Sequence, residues 1–270
     1  MEKGYVAPSV KKAFEILKAI SLSKEGLGVS DIARDLKIAK STVHGITSAL
    51  EELGAIVRDP LRKRYTVGPT LVELGRLAYS QIDLADRARP LMEDLMEKTE
   101  GSVFLGVLNA ERVTILDIVE SKNDLKITAP IGATIPLLAG ATGKVLLGTM
   151  PEDRALGIIR ARGLTRYTEN TITDPENYIE EIRRAKQMGF ATDDEEYILG
   201  VRAVASPIRA EKRLKAAIWV VGFKASLSED KMRSVIDETK SAAEFISRKI
   251  EAGRLSEDEV VFPRSRKAKL

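Results

Sequence analysis

The chain has 270 residues, of which 44% are hydrophobic and 31% charged, so it is long enough for two modest domains and can bury a core. It contains no cysteine and a single histidine, His44, which excludes a disulfide framework, a thiolate metal site and any site built on two imidazoles. Apolar stretches are all far shorter than the roughly 18 residues of a membrane span, and the first residues lack the apolar core of a signal peptide. We therefore expect a cytoplasmic protein with no membrane contact, no metal and no cofactor.

The net charge of +3 is unevenly distributed along the chain. Residues 1–75 carry 12 basic and 9 acidic side chains, residues 76–252 carry 26 and 28, and residues 253–270 carry 5 and 3. The basic excess therefore lies at the two ends. This distribution mildly favours a polyanionic partner for the N-terminal part.

The N-terminal part predicts three short helices followed by a β-hairpin. The first helix follows a cap at Ser9, the second starts at Ser30, and the third, with apolar residues at helical intervals through Leu53, ends at Gly54. The predicted strands are 55–58 and 64–67. This order of elements predicts a winged helix-turn-helix domain with a β-hairpin wing, over residues 8–68.

Beyond Pro69 the pattern changes to a linker helix over 69–82, with an apolar stripe from Leu71 to Ala78, and a helix from Leu84 to Thr99 that Pro90 must delay or kink. The remaining strands are predicted at 102–109, 112–119, 125–129, 190–198, 203–209 and 214–222, and the helices near 141–149, 151–161, 175–188 and 228–250. Paired strands with helices predict an α+β domain with an antiparallel sheet over 83–252. Residues 253–270 are predicted to form a disordered basic tail.

The strongest functional signal lies in residues 29–50. In a helix-turn-helix, the N-terminal side chains of the second helix contact base edges and phosphates in the major groove. The candidate DNA-binding residues, from the two helices and the basic hairpin, are Ser30, Lys40, Ser41, Thr42, His44, Arg58, Arg62, Lys63 and Arg64. Spacing alone leaves open an amphipathic subdomain with a solvated face, or a winged helix that binds another protein.

Several segments in fixed order resemble the IclR (isocitrate lyase regulator) family of bacterial and archaeal transcription factors. They are SVKKAFEIL, VSDIARDLKIAKSTVHGITSALEELGAIVRDP, KRYTVGPTLVELG, PLLAGATGKVLLG, GLTRYTENTIT, RRAKQMGFATDDEEYILGVRAVASPI and LKAAIWVVG. The resemblance covers residues 8–252. It implies a winged helix joined by a linker helix to a GAF-like or profilin-like effector domain, acting as a homodimer or homotetramer on pseudo-palindromic double-stranded DNA operators. Dimer contacts are expected from the helix around Leu71–Ala78.

One position departs from the family. Members usually carry a basic residue just after the KSTVH-like start of the recognition helix, and this chain has Gly45 there. Glycine costs a helix about 1 kcal/mol relative to alanine and removes one DNA contact. The departure implies either an unusual operator or a larger share of binding by the wing.

The segment GATGK at 140–144 is not a phosphate loop, because the required first glycine falls on Leu138 and Val145 replaces Ser or Thr. The resemblance places it instead at the floor of an effector pocket. There the N–H groups of Ala141 and Thr142, at the start of a helix, can bind a ligand carboxylate or oxygen. An ordinary glycine-rich helix start is the alternative.

Four consecutive carboxylates, Asp193 to Glu196, are compatible with a hard-cation site, but a solvated turn is the simpler interpretation. The resemblance aligns Asp193 with a pocket aspartate that accepts a hydrogen bond from a ligand hydroxyl. Glu195 and Glu196 then become structural or rim residues.

The pocket wall departs from the family as well. Members often have serine where Trp219 and Val221 stand and cysteine where Ala203 stands, so this pocket is expected to be smaller and less polar. The candidate effector-binding residues are Ala141, Thr142, Asp193, Val201, Ala203, Trp219 and Val221. The expected ligand is an organic acid with an apolar or aromatic part. The alternative is that Trp219 fills the core and the pocket is vestigial; Arg202 either faces out or supplies a cation to the ligand.

The sequence therefore predicts a ligand-responsive transcriptional regulator rather than an enzyme. An enzyme using carboxylate or lysine chemistry, at Asp193, Glu195 or Lys144, is the competing interpretation. A winged-helix scaffold for protein partners is another, and it predicts no affinity for DNA.

Overall fold

The computed structural model describes residues 7–81, 84–209 and 215–258, and the chain divides into an N-terminal unit, Met1–Ile82, and a C-terminal unit, Asp83–Leu270. The side chains of residues 76–81 and 252–258 lie outside the described part. In the N-terminal unit the elements are α1 (Pro8–Leu22), α2 (Val29–Leu36), α3 (Lys40–Glu52), β1 (Ile56–Asp59), β2 (Arg64–Val67) and α4 (Pro69–Gln81).

The first helix begins one residue before its predicted cap. Pro8 occupies the first turn, where its fixed φ suits a helix and its missing N–H is not needed. Ser9 therefore lies inside α1, and the predicted Ser9 cap was wrong. Ala7 precedes the helix and provides no side-chain hydrogen bond to it.

The end of α3 is as predicted. Gly54 has a left-handed φ of +68°, and its N–H donates to the Glu51 carbonyl at 2.9 Å. The N–H of Ala55 donates to the Leu50 carbonyl at the same distance. These two bonds satisfy the last carbonyls of the helix and turn the chain into β1.

Side chains from all parts of the N-terminal unit form its core. Ile20 of α1, Ile32 of α2, Val43 of α3 and Tyr65 of β2 are all buried in one cluster. Leu53, which shares the helical spacing of α3, is instead 68% exposed, because it lies at the cap where the chain turns away. The apolar spacing thus correctly predicted which side of α3 faces the core, but it wrongly included Leu53 among the core residues.

The C-terminal unit is an α+β domain built on a six-stranded antiparallel sheet. Its elements are α5 (Leu84–Thr99), β3 (Ser102–Asn109), β4 (Arg112–Val119), β5 (Thr134–Pro136), α6 (Gly140–Gly148), α7 (Glu152–Arg162), α8 (Pro175–Met188), β6 (Ala191–Asp194), β7 (Val201–Arg209), β8 (Lys215–Phe223) and α9 (Glu229–Asp258). The strand order is β5-β4-β3-β8-β7-β6. The central strands β3, β8 and β7 are buried along nearly their whole length.

Both faces of the sheet are covered by helices. On β8, Ala217, Trp219 and Val221 belong to the core cluster that includes α6 and α8. The intervening Ile218 and Val220 are fully buried on the opposite face, since side chains alternate along a strand. Helices α5 and α9 pack against each other and against the sheet.

Two predicted strands differ from the structure. Residues 125–129 form no strand, and β5 lies at 134–136 instead. The alternation there reflects burial, with Ile127 and Ala129 packed against the core and Leu125 77% exposed, but a strand also needs a partner for its backbone. The strand predicted at 190–198 ends at Asp194, because Glu195 takes a left-handed φ of +62°.

The helices at the two ends of the C-terminal unit each differ from the prediction in one respect. Helix α5 starts at Leu84 without delay and includes Pro90. Helix α9 extends to Asp258, so the predicted disordered tail from Gly253 was wrong for its first six residues; one glycine costs only about 1 kcal/mol, too little to end a helix rich in Glu, Ala, Arg and Leu. Residues 259–270 lie outside the described residues. Within the described part, no helix is both long and apolar enough to cross a membrane.

Two glycine-to-alanine variants test the packing of α6. In Gly143→Ala the new Cβ would lie 1.9 Å from the Leu137 carbonyl oxygen, so we expect a loss of about 3 kcal/mol in the free energy of unfolding. Gly157→Ala, on the exposed side of α7 with nothing within 4 Å, should gain up to about 1 kcal/mol. Urea unfolding followed by circular dichroism measures both. Equal stabilities for the two variants would contradict the close approach at Gly143.

Candidate nucleic-acid interface and ligand cavity

Helices α2 and α3 form the predicted helix-turn-helix. The chain turns between them through Lys37, which has a left-handed φ of +55°, and the Ile38 N–H donates to the Ala33 carbonyl at 3.1 Å. On α3, Val43 faces the core. The arrangement leaves one side of α3 available to solvent.

The predicted contact residues of the helix-turn-helix are exposed to solvent to different degrees. Lys40, Ser41 and His44 are exposed, Thr42 is half-buried, and Ser30 is exposed in the first turn of α2. The first turn of α3 has no side-chain cap and no acidic residue, so its N–H groups and the positive end of the helix dipole can bind phosphate. All five residues are thus at least partly accessible to solvent, in the N-terminal halves of α2 and α3.

Gly45 is exposed in α3 and is not required by crowding. A Cβ placed at Gly45 would meet nothing within 4 Å. The departure from the family pattern therefore has no steric cause within the described part of the chain.

The wing is a regular two-stranded hairpin, with Asp59 opposite Arg64 at its tip. The Asp59 carboxylate accepts the N–H groups of Leu61 (2.8 Å) and Arg62 (3.0 Å), which hold the turn and keep the pKa of Asp59 below its usual range. Arg62 and Lys63 extend from the tip and are exposed.

Two arginines of the wing strands, close to the tip, make contacts within the N-terminal unit. The Arg58 guanidinium lies 5.9 Å from the centre of the Tyr65 ring, and Arg58 itself is exposed. Arg64 donates to the Gly26 carbonyl at 2.8 Å and lies 3.6 Å from the Asp31 carboxylate. These contacts tie the wing to the start of α2. The predicted part of Arg64 in DNA binding stays a prediction.

The C-terminal unit contains a cavity of about 230 Å³ between the sheet and α6. Its lining residues are Phe104, Ile115, Ile127, Thr128, Ala129, Ile135, Ala139, Gly140, Ala141, Thr142, Asp193, Tyr197, Ile198, Val201, Ala203, Trp219 and Val221. All seven predicted effector-binding residues are among them. The residues that sequence reasoning missed come mainly from β3, β4 and the loops before β5 and after β6, which carried no polar motif to single them out.

Aromatic side chains form one wall of the cavity. The rings of Trp219 and Phe104 are stacked, with centroids 5.5 Å apart and planes 8° apart, because their residues are paired across β8 and β3. Trp219 is only 4% exposed, yet it borders the cavity as well as the core. The cavity is therefore reduced by this ring but not filled.

The polar end of the cavity combines a carboxylate with a helix start. Asp193 is 6% exposed, accepts the Glu196 N–H at 2.7 Å and is the one charged side chain among the described lining residues. Burial raises the pKa of Asp193. Its other oxygen lies so close to Gly140 that a Cβ there would be 2.3 Å away. The carboxylate and the first turn of α6 thus lie side by side.

The three carboxylates after Asp193 are each paired with a cation, and Lys224 lies near two of them, Asp194 and Glu195. Asp194 pairs with Arg202 at 2.7 Å, Glu195 pairs with Lys224, and Glu196 pairs with Lys144 at 2.5 Å. No cluster of three or more potential ligands among the described residues is arranged to hold a metal.

The pairing also places Arg202. Its guanidinium donates to Asp194 and to the Leu227 carbonyl at 3.1 Å, and it does not line the cavity. It therefore supplies no cation to a ligand there.

A winged helix with exposed basic residues on its second helix and hairpin is typical of helix-turn-helix transcriptional regulators. The chain matches the family model described as bacterial transcriptional regulator IclR C-terminal over residues 77–248, and the IclR helix-turn-helix domain over residues 9–60. The chain belongs to the IclR family of transcriptional regulators. The resemblance drawn from its ordered motifs is confirmed.

Individual relatives agree. The HTH-type transcriptional regulator KipR of Bacillus subtilis is 30% identical over 243 residues, covering 90% of this chain and 96% of KipR. The crystal structure of an IclR regulator from Alicyclobacillus acidocaldarius superposes with a TM-score of 0.77 at 26% identity, covering 90% of this chain and 99% of that one. An IclR homologue from Microbacterium hydrocarbonoxydans, complexed with 4-hydroxybenzoate, shares the fold with a TM-score of 0.73 at 22% identity, covering 90% and 99%. The matches are to regulators, which sets the competing enzyme interpretation aside.

The two tip arginines should behave differently on substitution. Arg62→Ala should weaken DNA binding and lower the slope of log K against log salt by about 0.9, as expected for one lost phosphate contact. Arg64→Ala should leave that slope unchanged, because Arg64 is bound to Gly26 and Asp31, and should lower the free energy of unfolding by about 1 kcal/mol.

Fluorescence anisotropy titrations on one duplex at several salt concentrations, together with thermal unfolding, separate these effects. An equal fall in slope for both variants would show that Arg64 also contacts phosphate.

Proposed function

We propose that this protein is a cytoplasmic, ligand-responsive regulator that binds a pseudo-palindromic operator as a homodimer or homotetramer. The observation that carries the proposal is the combination, in one chain, of an exposed basic recognition surface and a separate small cavity with an apolar wall and a polar end. Paired recognition helices raise affinity through effective concentration, since one winged helix makes few phosphate contacts. A ligand regulates by binding two arrangements of the protein with different affinity.

The exposed apolar residues of α4 support a dimer contact at that helix. Val72 and Leu74 are mostly exposed in the described part of α4, whereas Leu71 packs against the core of the N-terminal unit. A second copy covering these residues would remove apolar surface from water. The side chains of Leu77 and Ala78, which the prediction included, lie outside the described residues.

The effector proposed for the cavity is a small organic acid with an apolar or aromatic part. A volume of about 230 Å³ is below the range usual for drug-sized ligands and equals the share of about eight water molecules in the liquid. The stacked Phe104 and Trp219 rings offer a flat apolar surface. The complex of the Microbacterium homologue with 4-hydroxybenzoate supports an acid of this size and shape.

The polar end of the ligand meets two different groups. The N–H groups of Ala141 and Thr142 in the first turn of α6 offer donors, and the adjacent Asp193 offers a carboxylate. A ligand carboxyl group satisfies both when one proton is shared with Asp193, whose pKa burial raises. A ligand hydroxyl donating to Asp193 meets the same requirement.

The recognition helix is tested by Lys40→Ala combined with Thr42→Ala. This variant should lose binding to duplex fragments from its own promoter region, because it removes a cation and a hydroxyl from the first turn of α3, and it should retain ligand binding. Electrophoretic mobility shifts measure the first effect and thermal shifts the second. The matched control is Lys18→Ala with Ser21→Ala, which removes an exposed lysine and an exposed hydroxyl of α1. Operator affinity that survives in the double variant contradicts the placement of the interface.

The ligand cavity is tested by a thermal-shift screen of aromatic and aliphatic carboxylic acids. An acid present at 100 times its dissociation constant should add about 2.7 kcal/mol to the free energy of unfolding. Trp219→Ser should shift the preference toward small polar acids, since it replaces a ring wall with a hydroxyl, and Trp219→Phe should retain the preference for aromatic ones. An identical ligand profile in the wild type and Trp219→Ser would make Trp219 a core residue only.

A further inference from the structure

A buried ion pair joins the two motifs that the sequence singled out separately, GATGK and the acidic run. Lys144, the last residue of the first motif, is 1% exposed. Its amine donates to Glu196 at 2.5 Å and to the Thr192 carbonyl at 3.0 Å, and lies 3.8 Å from the Glu181 carboxylate of α8. Lys144 does not line the cavity, so it cannot contact a ligand directly.

The partner of this lysine is fixed in several directions. The Glu196 N–H donates to the Asp193 carboxylate, and the Glu196 carbonyl accepts the hydroxyls of Thr168 (3.3 Å) and Thr171 (2.6 Å). Burial raises the pKa of Glu196, while the nearby Lys144 charge opposes the rise. A buried carboxylate of this kind needs its cation, since an unpaired charge away from water is strongly unfavourable.

The residues next to Glu196 belong to the cavity. Tyr197 and Ile198, which follow it directly, form part of the lining, and Asp193, three residues earlier, supplies the charged group. A displacement of Glu196 would therefore move a wall of the cavity and release one hydrogen bond that orients Asp193.

We propose that Lys144 is the positioning residue of the ligand cavity. Its ion pair fixes Glu196 from the side that does not face the cavity. The fixed Glu196 in turn orients the Asp193 carboxylate and keeps Tyr197 and Ile198 in the lining of the cavity. The consequence for ligand affinity rests on the proposed effector function, whereas the consequence for the closure of the cavity does not.

The single tryptophan of the chain, Trp219, reports on this closure without a known effector, because it lines the same cavity. In the full-length protein, Lys144→Met should raise the acrylamide quenching constant of Trp219 fluorescence at least twofold. The affinity for 4-hydroxybenzoate, used as the probe acid, should fall at least tenfold. Lys224→Met is the matched control: it removes the exposed ion pair of the adjacent Glu195 and should change neither value.

A second variant separates positioning from stability. Lys144→Met combined with Glu196→Gln removes the unpaired carboxylate, so the melting temperature should recover toward that of the wild type. The quenching constant should remain raised and the affinity reduced, because Glu196 has still lost its anchor. If Lys144→Met does not fold, the quenching constant and the affinity of the double variant alone test the proposal.

A quenching constant equal to that of the wild type in either folded variant overturns the proposal. Recovery of quenching together with stability in the double variant also overturns it, since Lys144 would then act only on stability. If the wild type binds no carboxylic acid at all, the proposed effector class fails. The quenching experiment then still tests whether Lys144 keeps the cavity closed.

Discussion

The ligand cavity depends on how closely α6 approaches the chain around it. Gly143 lies against the Leu137 carbonyl, and Gly140 lies against the Asp193 carboxylate, at distances that admit no side chain. Apart from its first residue, α6 is buried along its whole length. Because α6 lies this close, Gly140, Ala141 and Thr142 of its first turn line the cavity together with Asp193. The polar end of the cavity thus results from backbone packing as much as from any ionisable side chain.

The side chains of the sheet form the side of the cavity opposite α6. On β8, Trp219 has Phe104 on one side and Ala205 on the other, and Val221 is paired with Ala203. The small side chains of Ala203 and Ala205 on β7 leave space between the sheet and α6. The stacked rings of Phe104 and Trp219 occupy part of that space. The balance between alanine and aromatic side chains on neighbouring strands therefore sets both the volume of the cavity and its apolar character.

The sequence predicted most of the elements because buried helices and strands carry a strong periodic pattern, as in β3 and β4, whose bounds agree with the prediction. It also predicted seven residues that line one cavity, although their part in binding stays a prediction. The internal contacts of Arg64 and Lys144 were not predicted. Their partners lie 38 and 52 residues away along the chain, and no local pattern reports a contact of that kind. The segment 125–129 was misassigned for a related reason: its pattern reports which side chains are buried, whereas strand pairing depends on distant backbone.

The two lysines that matter most are used in opposite ways. Lys40 is exposed in the N-terminal unit and has no ion-pair partner among the described residues, so its charge is available to displace counterions from DNA. Lys144 is buried, and its amine is paired with the Glu196 carboxylate and donates to the Thr192 carbonyl. A cation that binds phosphate must be free, whereas a cation inside a protein must be paired. In this chain the exposed lysine lies in the N-terminal unit and the buried one in the C-terminal unit.

This separation constrains how regulation can work. The described residues that line the cavity all lie between Phe104 and Val221, in the C-terminal unit, and the predicted DNA contacts all lie between Ser30 and Arg64. A ligand in the cavity therefore touches none of the predicted DNA-binding side chains and cannot alter their charge. Any effect on operator affinity is limited to the difference in the ligand's affinity for two states of the protein. A residue that sets the shape of the cavity without touching the ligand is well placed to set that difference.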